Sequence, residues 1–165
     1  MHVRAFTTEE ADAMLPALRR TLRHVRELFD EARAQHDAMQ ILDVLWGEML
    51  HEPANPDRGE YVERSAAVSH ALAAIERLVA DEITARGVRF PPGGIENGLL
   101  DFPSTLDGRW VYMCWSIEEP AVAAWHELDG GFAGRRPITP DVARRMGARA
   151  AAPRRRAIGP ADDTD

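Results

Sequence analysis

The sequence predicts an α+β domain in which a long antiparallel helical hairpin packs on a small three-stranded antiparallel sheet. In the first half of the chain, apolar residues recur at helical spacing. In the second half, short apolar segments with strand character are separated by turn residues. The 165 residues suit one domain with a single core, and no apolar run approaches the ~20 residues that span a bilayer.

The first helix is predicted to begin after Thr7, because Thr7-Thr8-Glu9-Glu10 has the pattern of a capping box. Apolar side chains then follow at 3-4 spacing as a heptad seam, namely Leu15, Leu18, Leu22, Val25, Phe29 and Ala32. Pro16 lies inside this pattern and should bend the helix or separate its opening turns. The helical pattern continues to Met49 and ends at a loop of Pro, Asn and Gly residues.

A second helix is predicted from about Glu60 to Arg86, with Gly87 as its C-terminal cap. The short loop between the two helices makes them antiparallel neighbours, so residues 7–87 form the hairpin. Pairing the helices along one seam leaves some apolar side chains to be covered by the second half of the chain or by a second copy: Leu28, Leu45, Trp46 and Leu78.

Three strands are predicted in residues 88–138. The first is Leu99–Phe102, which should end at Pro103. Asp107-Gly108 is a hairpin turn signal, and Arg109–Ile117 is apolar on both faces and therefore central in the sheet. The chain returns as a third strand from Val122 to His126.

The densest group of chemically useful residues follows the third strand, from Trp125 to Pro137. The imidazole of His126 can move protons or bind a metal, and Asp129 is near enough in sequence to orient it. Glycines let backbone N–H groups form an anion nest, and Arg135 and Arg136 could clamp a carboxylate or phosphate. Alternatively, the glycines only make turns, and the His, Asp and Arg side chains bond to loop backbone and helix carboxylates.

Several segments, spanning about residues 6–138, match a known pattern: Phe6-Thr7-Thr8-Glu9-Glu10-Ala11, Leu15-Pro16, Gly98-Leu99-Leu100-Asp101-Phe102-Pro103, Cys114-Trp115-Ser116-Ile117-Glu118 and Trp125 through Pro137. With these segments the chain resembles a bacterial family catalogued as domain of unknown function 2203. The resemblance implies that Asp101, His126, Asp129 and Arg135 belong to the family's pattern. It implies no activity.

Two functional hypotheses follow. The first is a non-catalytic binding or accessory protein that forms a homodimer or holds a helical protein partner through the seam. Its loop site would bind a small anion, a metal or an acidic partner segment, with these residues: Asp101, Trp125, His126, Asp129, Arg135 and Arg136. The second is a small enzyme with His126 as general base, Asp129 orienting it and Arg135 stabilising negative charge. In a metal-dependent variant His126, Asp129 and Asp101 would hold iron, manganese or zinc, and the cofactor is otherwise unknown.

Charged residues are distributed unevenly along the chain, which has an acidic body and a basic segment near its C-terminal end. Residues 1–134 contain twelve arginines and twenty-three acidic residues, whereas residues 135–156 contain eight arginines and Asp141. We predict one domain over residues 1–138 and an Arg-rich tail, a short helix or disordered, over residues 139–165. Nucleic acid could bind only through this tail, where no aromatic residue interleaves the arginines. The single cysteine, Cys114, is predicted to be a buried, inert thiol and is typical of a cytoplasmic protein.

Overall fold

The computed structural model describes residues 3–147, which form a helical hairpin and an antiparallel sheet. The hairpin consists of α1 (Thr8–Trp46) and α2 (Arg58–Glu82), and two short helices follow, α3 (Gly94–Asn97) and α4 (Pro140–Arg144). The strands are β1 (Leu99–Leu106), β2 (Arg109–Ser116), β3 (Ala124–Glu127) and β4 (Arg136–Pro137), and they lie in that order in the sheet. The predicted α+β class is confirmed.

Helix α1 begins at the predicted capping box. The Thr7 hydroxyl accepts the N–H of Glu10 at 3.2 Å, and the Glu10 carboxylate accepts the N–H of Thr7 at 3.0 Å. Pro16 does not split the helix, which continues as one element to Trp46. The Pro16 side chain is exposed, and the residue keeps helical backbone geometry although it lacks the N–H that an internal helical position donates.

The main core lies between the first turns of α1 and one face of the sheet. Leu15, Leu18 and Leu22 of the predicted seam pack there, and the sheet contributes Leu100, Phe102, Val111, Met113, Trp115 and Trp125. Val25 and Ala32, further along α1, are buried outside this core, as are Ala71 and Ile75 on α2. The buried seam is therefore used within the chain.

The sheet has four strands, and the prediction of three was wrong. The additional strand, β4, pairs with β3, which begins two residues later than predicted. The first strand also continues through Pro103 to Leu106. Proline is tolerated because β1 lies at the edge of the sheet: the Pro103 carbonyl points away from β2 and accepts the N–H of Phe6 at 2.8 Å.

The packed structure continues past residue 138. Met146 is buried in the core and pairs with Leu106, and the N–H of Gly147 donates to the carbonyl of Thr105 at 3.0 Å. Part of the predicted tail is thus the short helix α4, whereas residues 148–165 lie outside the described residues. None of the helices in residues 3–147 has the length and apolarity to cross a membrane.

Candidate functional site

Three chemically different side chains meet on the face of the sheet opposite the helices. Asp101 of β1 lies opposite Cys114 of β2, and His126 of β3 lies opposite Tyr112, two residues before Cys114. Because side chains alternate along a strand, Asp101, Cys114 and His126 project from the same face. Their ligand atoms lie within 4.8 Å of one another, and all three residues are at most 1% exposed.

The hydrogen bonds of His126 identify its tautomer. Nδ1 lies 2.6 Å from the backbone carbonyl oxygen of Glu127, and because a carbonyl oxygen can only accept, Nδ1 must carry a hydrogen. Nε2 lies 3.2 Å from Oδ1 of Asp101. In a neutral imidazole with this tautomer, the Nε2 lone pair faces a carboxylate oxygen. The contact is favourable only when a proton or a metal cation lies between the two atoms.

The second oxygen of Asp101 binds Arg89. The guanidinium group donates to Oδ2 at 3.1 Å, and the backbones of Arg89 and Asp101 exchange two further hydrogen bonds. Arg89 lies over the ring of Tyr112, at 3.7 Å from its centroid, and the Tyr112 ring is 5.7 Å from that of His126. Asp101 is fully buried and Arg89 is partly exposed, so the charge that pairs with the buried carboxylate is itself in contact with solvent.

Cys114 is buried, as predicted, and its thiol is protonated at neutral pH. Burial, followed by the negative charge of Asp101, raises the pKa of this thiol to about 12. Cys114 was predicted to be inert and was not connected with the site. The available signal was the strand pattern, because a hairpin turn at Asp107-Gly108 places Asp101 directly opposite Cys114.

The glycine and arginine loop is arranged differently from the predicted clamp. Arg135 donates to both carboxylate oxygens of Glu119, at 2.6 and 2.7 Å, and to the carbonyl of Cys114 at 3.3 Å. Asp129 is exposed and lies outside the buried group. Arg136 is exposed, with its guanidinium 5.2 Å from the ring centroid of Trp125.

Of the six residues predicted for the loop site, the structure brings Asp101 and His126 together in the buried group, and Arg136 lies against the ring of Trp125 apart from them. Trp125 belongs to the core on the opposite face of β3, because it precedes His126 by one residue. The contributions of Arg89 and Glu119 were not predicted from the sequence. Both are distant in sequence from their partners, and no local pattern marks them.

These features define an α+β domain with a buried carboxylate, thiol and imidazole group on its sheet. Residues 4–138 match the family model described as "Uncharacterized conserved protein (DUF2203)", and the chain belongs to this family. The resemblance noted in the sequence is thereby confirmed. Neither a curated protein nor a solved structure matches the chain.

Proposed function

We propose that the chain is a non-catalytic cytoplasmic binding protein that pairs with a second copy through the far end of its helical hairpin. The observation that carries this proposal is a concentration of exposed apolar side chains at that end. Ile41 is 61% exposed, Val44 85% and Leu45 65%. Met49, in the turn after α1, and Val62, in the first turns of α2, are also more than half exposed. These five residues are called the tip patch below.

The tip patch has the features of a contact surface. Val44 and Leu45 lie three and four residues after Ile41 on α1, so all three side chains are on one face of the helix. With Gln40 they line a shallow pocket of about 250 Å³. A surface with both projecting apolar side chains and a pocket can be complementary to itself about a twofold axis, which favours a second copy as the occupant.

The seam that was expected to mediate pairing is not available for it. Leu15, Leu18 and Leu22 pack on the sheet, and Val25 is buried. Five apolar side chains cover less than the ~800 Å² per partner of a standard stable interface. We therefore expect a reversible dimer.

The charge around the tip patch sets the salt dependence of pairing. Residues 37–63 contain seven acidic residues and one arginine. Two copies that meet here bring like charges together, and salt screens this repulsion while it leaves apolar burial intact. The dimer should therefore be stronger at high salt, whereas a basic partner protein would bind more weakly at high salt.

Sedimentation velocity of the full chain over a range of protein and salt concentrations tests the proposal. We expect a monomer–dimer equilibrium that shifts towards dimer as salt rises. Val44→Asp should give a monomer at every concentration, and Leu128→Asp, at an exposed apolar residue outside the patch, should behave like the wild type. A wild type that remains monomeric, or a dimer unaffected by Val44→Asp, would overturn the proposal.

The contact between Asp101 and His126 favours the enzyme hypothesis, but the rest of the geometry does not support it. His126 is 1% exposed, Asp129 does not contact it, and Arg135 is neutralised by Glu119. A small anion or an acidic segment would have to displace Glu119 from Arg135. Binding of nucleic acid through the Arg-rich tail concerns mainly residues 148–165, outside the described part of the chain.

A further inference from the structure

We propose that Asp101, Cys114 and His126 form a binding site for one zinc ion, with Oδ1, Sγ and Nε2 as its ligand atoms. This site is independent of pairing through the tip patch. It differs from the metal site expected from the sequence, because Cys114 takes the place of Asp129. The proposal rests on the ligand set, on its spacing and on the groups that hold each ligand.

The ligand set is suited to zinc. Carboxylate, thiolate and imidazole are the three ligand types that Zn²⁺ takes in proteins, whereas Mg²⁺ and Ca²⁺ require oxygen ligands. The thiolate and carboxylate carry two negative charges, which offset the charge of one divalent cation, and the charge of Arg89 on the second carboxylate oxygen is partly solvated. Three protein ligands leave a fourth position for a water molecule.

The spacing is close to what zinc requires. Tetrahedral bonds of about 2.0–2.3 Å place ligand atoms about 3.3–3.8 Å apart. The three ligand atoms of the cluster lie within 4.8 Å of one another, so side-chain shifts of about 1 Å suffice. The ligands come from three adjacent strands, whose backbones are held in register by the sheet.

The surrounding hydrogen bonds orient two of the ligands. A metal-binding histidine commonly donates its other ring N–H to a carbonyl or carboxylate, and Nδ1 of His126 donates to the Glu127 carbonyl at 2.6 Å. This bond directs the Nε2 lone pair at Asp101. Arg89 holds Oδ2 of Asp101 and leaves Oδ1 on the side of His126.

A cation also resolves the unfavourable contact between Nε2 and Oδ1. Without it, the contact at 3.2 Å requires a hydrogen between the two atoms. Zinc binding removes this requirement and displaces the thiol proton of Cys114, so protons are released on binding.

Cobalt titration of the full chain tests the proposal, since Co²⁺ reports tetrahedral thiolate ligation by its absorption. The reduced protein is stripped with a chelator, dialysed and titrated with Co²⁺, and Zn²⁺ is then added. We expect the protein to bind one equivalent of Co²⁺ and to show a thiolate-to-cobalt charge-transfer band and strong visible bands. All of these bands should disappear when Zn²⁺ displaces Co²⁺. Cys114→Ser should lose the charge-transfer band, and His126→Asn should weaken binding at least tenfold.

Two matched variants control for adventitious ligands. Asp129→Asn removes the exposed carboxylate nearest in sequence to His126, and His70→Asn removes an exposed histidine on α2; both should titrate like the wild type. If His126→Asn does not fold, thermal unfolding of the wild type and of Cys114→Ser provides the test in its place. Zn²⁺ should raise the Tm of the wild type and leave that of Cys114→Ser unchanged. Absence of Co²⁺ binding, a spectrum without the charge-transfer band, or a band retained in Cys114→Ser would overturn the proposal.

Discussion

His126 and Asp101 belong to strands that do not pair with each other, yet their side chains meet at 3.2 Å. The strand between them, β2, contributes Cys114 at the same place. Because the three side chains occupy adjacent strands on one face, they form a single buried polar group. A change in one of them must therefore alter the surroundings of the other two.

Cys114 provides a test of this coupling that needs no metal. With a pKa raised to about 12, the thiol should react very slowly with iodoacetamide at neutral pH in the folded protein and rapidly after unfolding in denaturant. Replacing Asp101 by Asn removes the negative charge that contributes to this shift, so alkylation of Asp101→Asn should begin at lower pH. The measurement is the alkylation rate against pH, with circular dichroism to show that the variant is folded. Equal rates in folded and unfolded wild type would contradict the assignment.

The same shift predicts a loss of stability at high pH. Between the unfolded pKa near 9.0 and the folded pKa of about 12, the metal-free folded protein holds a proton that the unfolded chain releases. The free energy of unfolding therefore falls as pH rises through this range. Cys114→Ala should show a smaller fall in urea titrations over the same range. A decline as steep as in the wild type would assign the alkaline sensitivity to other groups.

Arg135 should matter for stability more than its neighbour in sequence. It donates to both carboxylate oxygens of Glu119 and is only partly exposed, whereas Arg136 is exposed and contacts the ring of Trp125. We expect Arg135→Ala to lower the free energy of unfolding by about 1–3 kcal/mol. Arg136→Ala should lower it by no more than about 0.5–1 kcal/mol. Chemical denaturation of both variants checks the difference, and similar losses would indicate that the Glu119 pair contributes little.

The capping box of α1 predicts a response to acid. The backbone N–H of Thr7, and then Arg4, hold the pKa of Glu10 below its usual value. A carboxyl whose folded pKa is lowered stabilises the fold above its unfolded pKa, and this contribution disappears as pH falls through the folded pKa. Thr7→Ala should cost about 1 kcal/mol at neutral pH. Glu10→Gln should lose less stability than the wild type between about pH 7 and about pH 3, measured by urea unfolding.

Substitution by alanine should have different effects at two glycines, Gly98 and Gly134, because the space around them differs. Gly98 has a φ of +64°, and a Cβ there would lie 2.7 Å from Cγ2 of Ile117. Gly134 has open space at the equivalent position. Gly98→Ala should therefore lower the free energy of unfolding by about 1–3 kcal/mol. Gly134→Ala should change it by less than about 0.5 kcal/mol, and thermal denaturation of the pair tests both values.

Local patterns were sufficient for much of the fold. The capping box at Thr7 is confirmed, and so is the Asp107-Gly108 turn, whose two residues have φ angles of +52° and +78°. Such features depend on residues within a few positions of one another, so sequence reveals them directly. The fourth strand escaped prediction because β4 is only two residues long, too short for an alternating pattern.

The candidate site was predictable only in part. His126 was identified from its residue type and neighbours, and a metal variant with Asp101 assumed that the two would approach each other. Asp129 was expected to orient His126, but its side chain is exposed. Arg135 was expected to clamp an anion, but it binds Glu119, which lies sixteen residues earlier in the chain. Proximity in sequence was a poor guide in a loop that turns at Gly131, where φ is +56°.

The sequence by itself determined where α1 begins, where β1 turns into β2, and which side chains along a strand share a face. These properties follow from hydrogen bonding and alternation over short distances. Tertiary structure alone decided that Cys114 joins Asp101 and His126, that Arg89 reaches the second oxygen of Asp101, and that the tip patch stays exposed while most of the seam is buried. Each of these depends on strand register or helix packing, which bring together residues far apart in the chain.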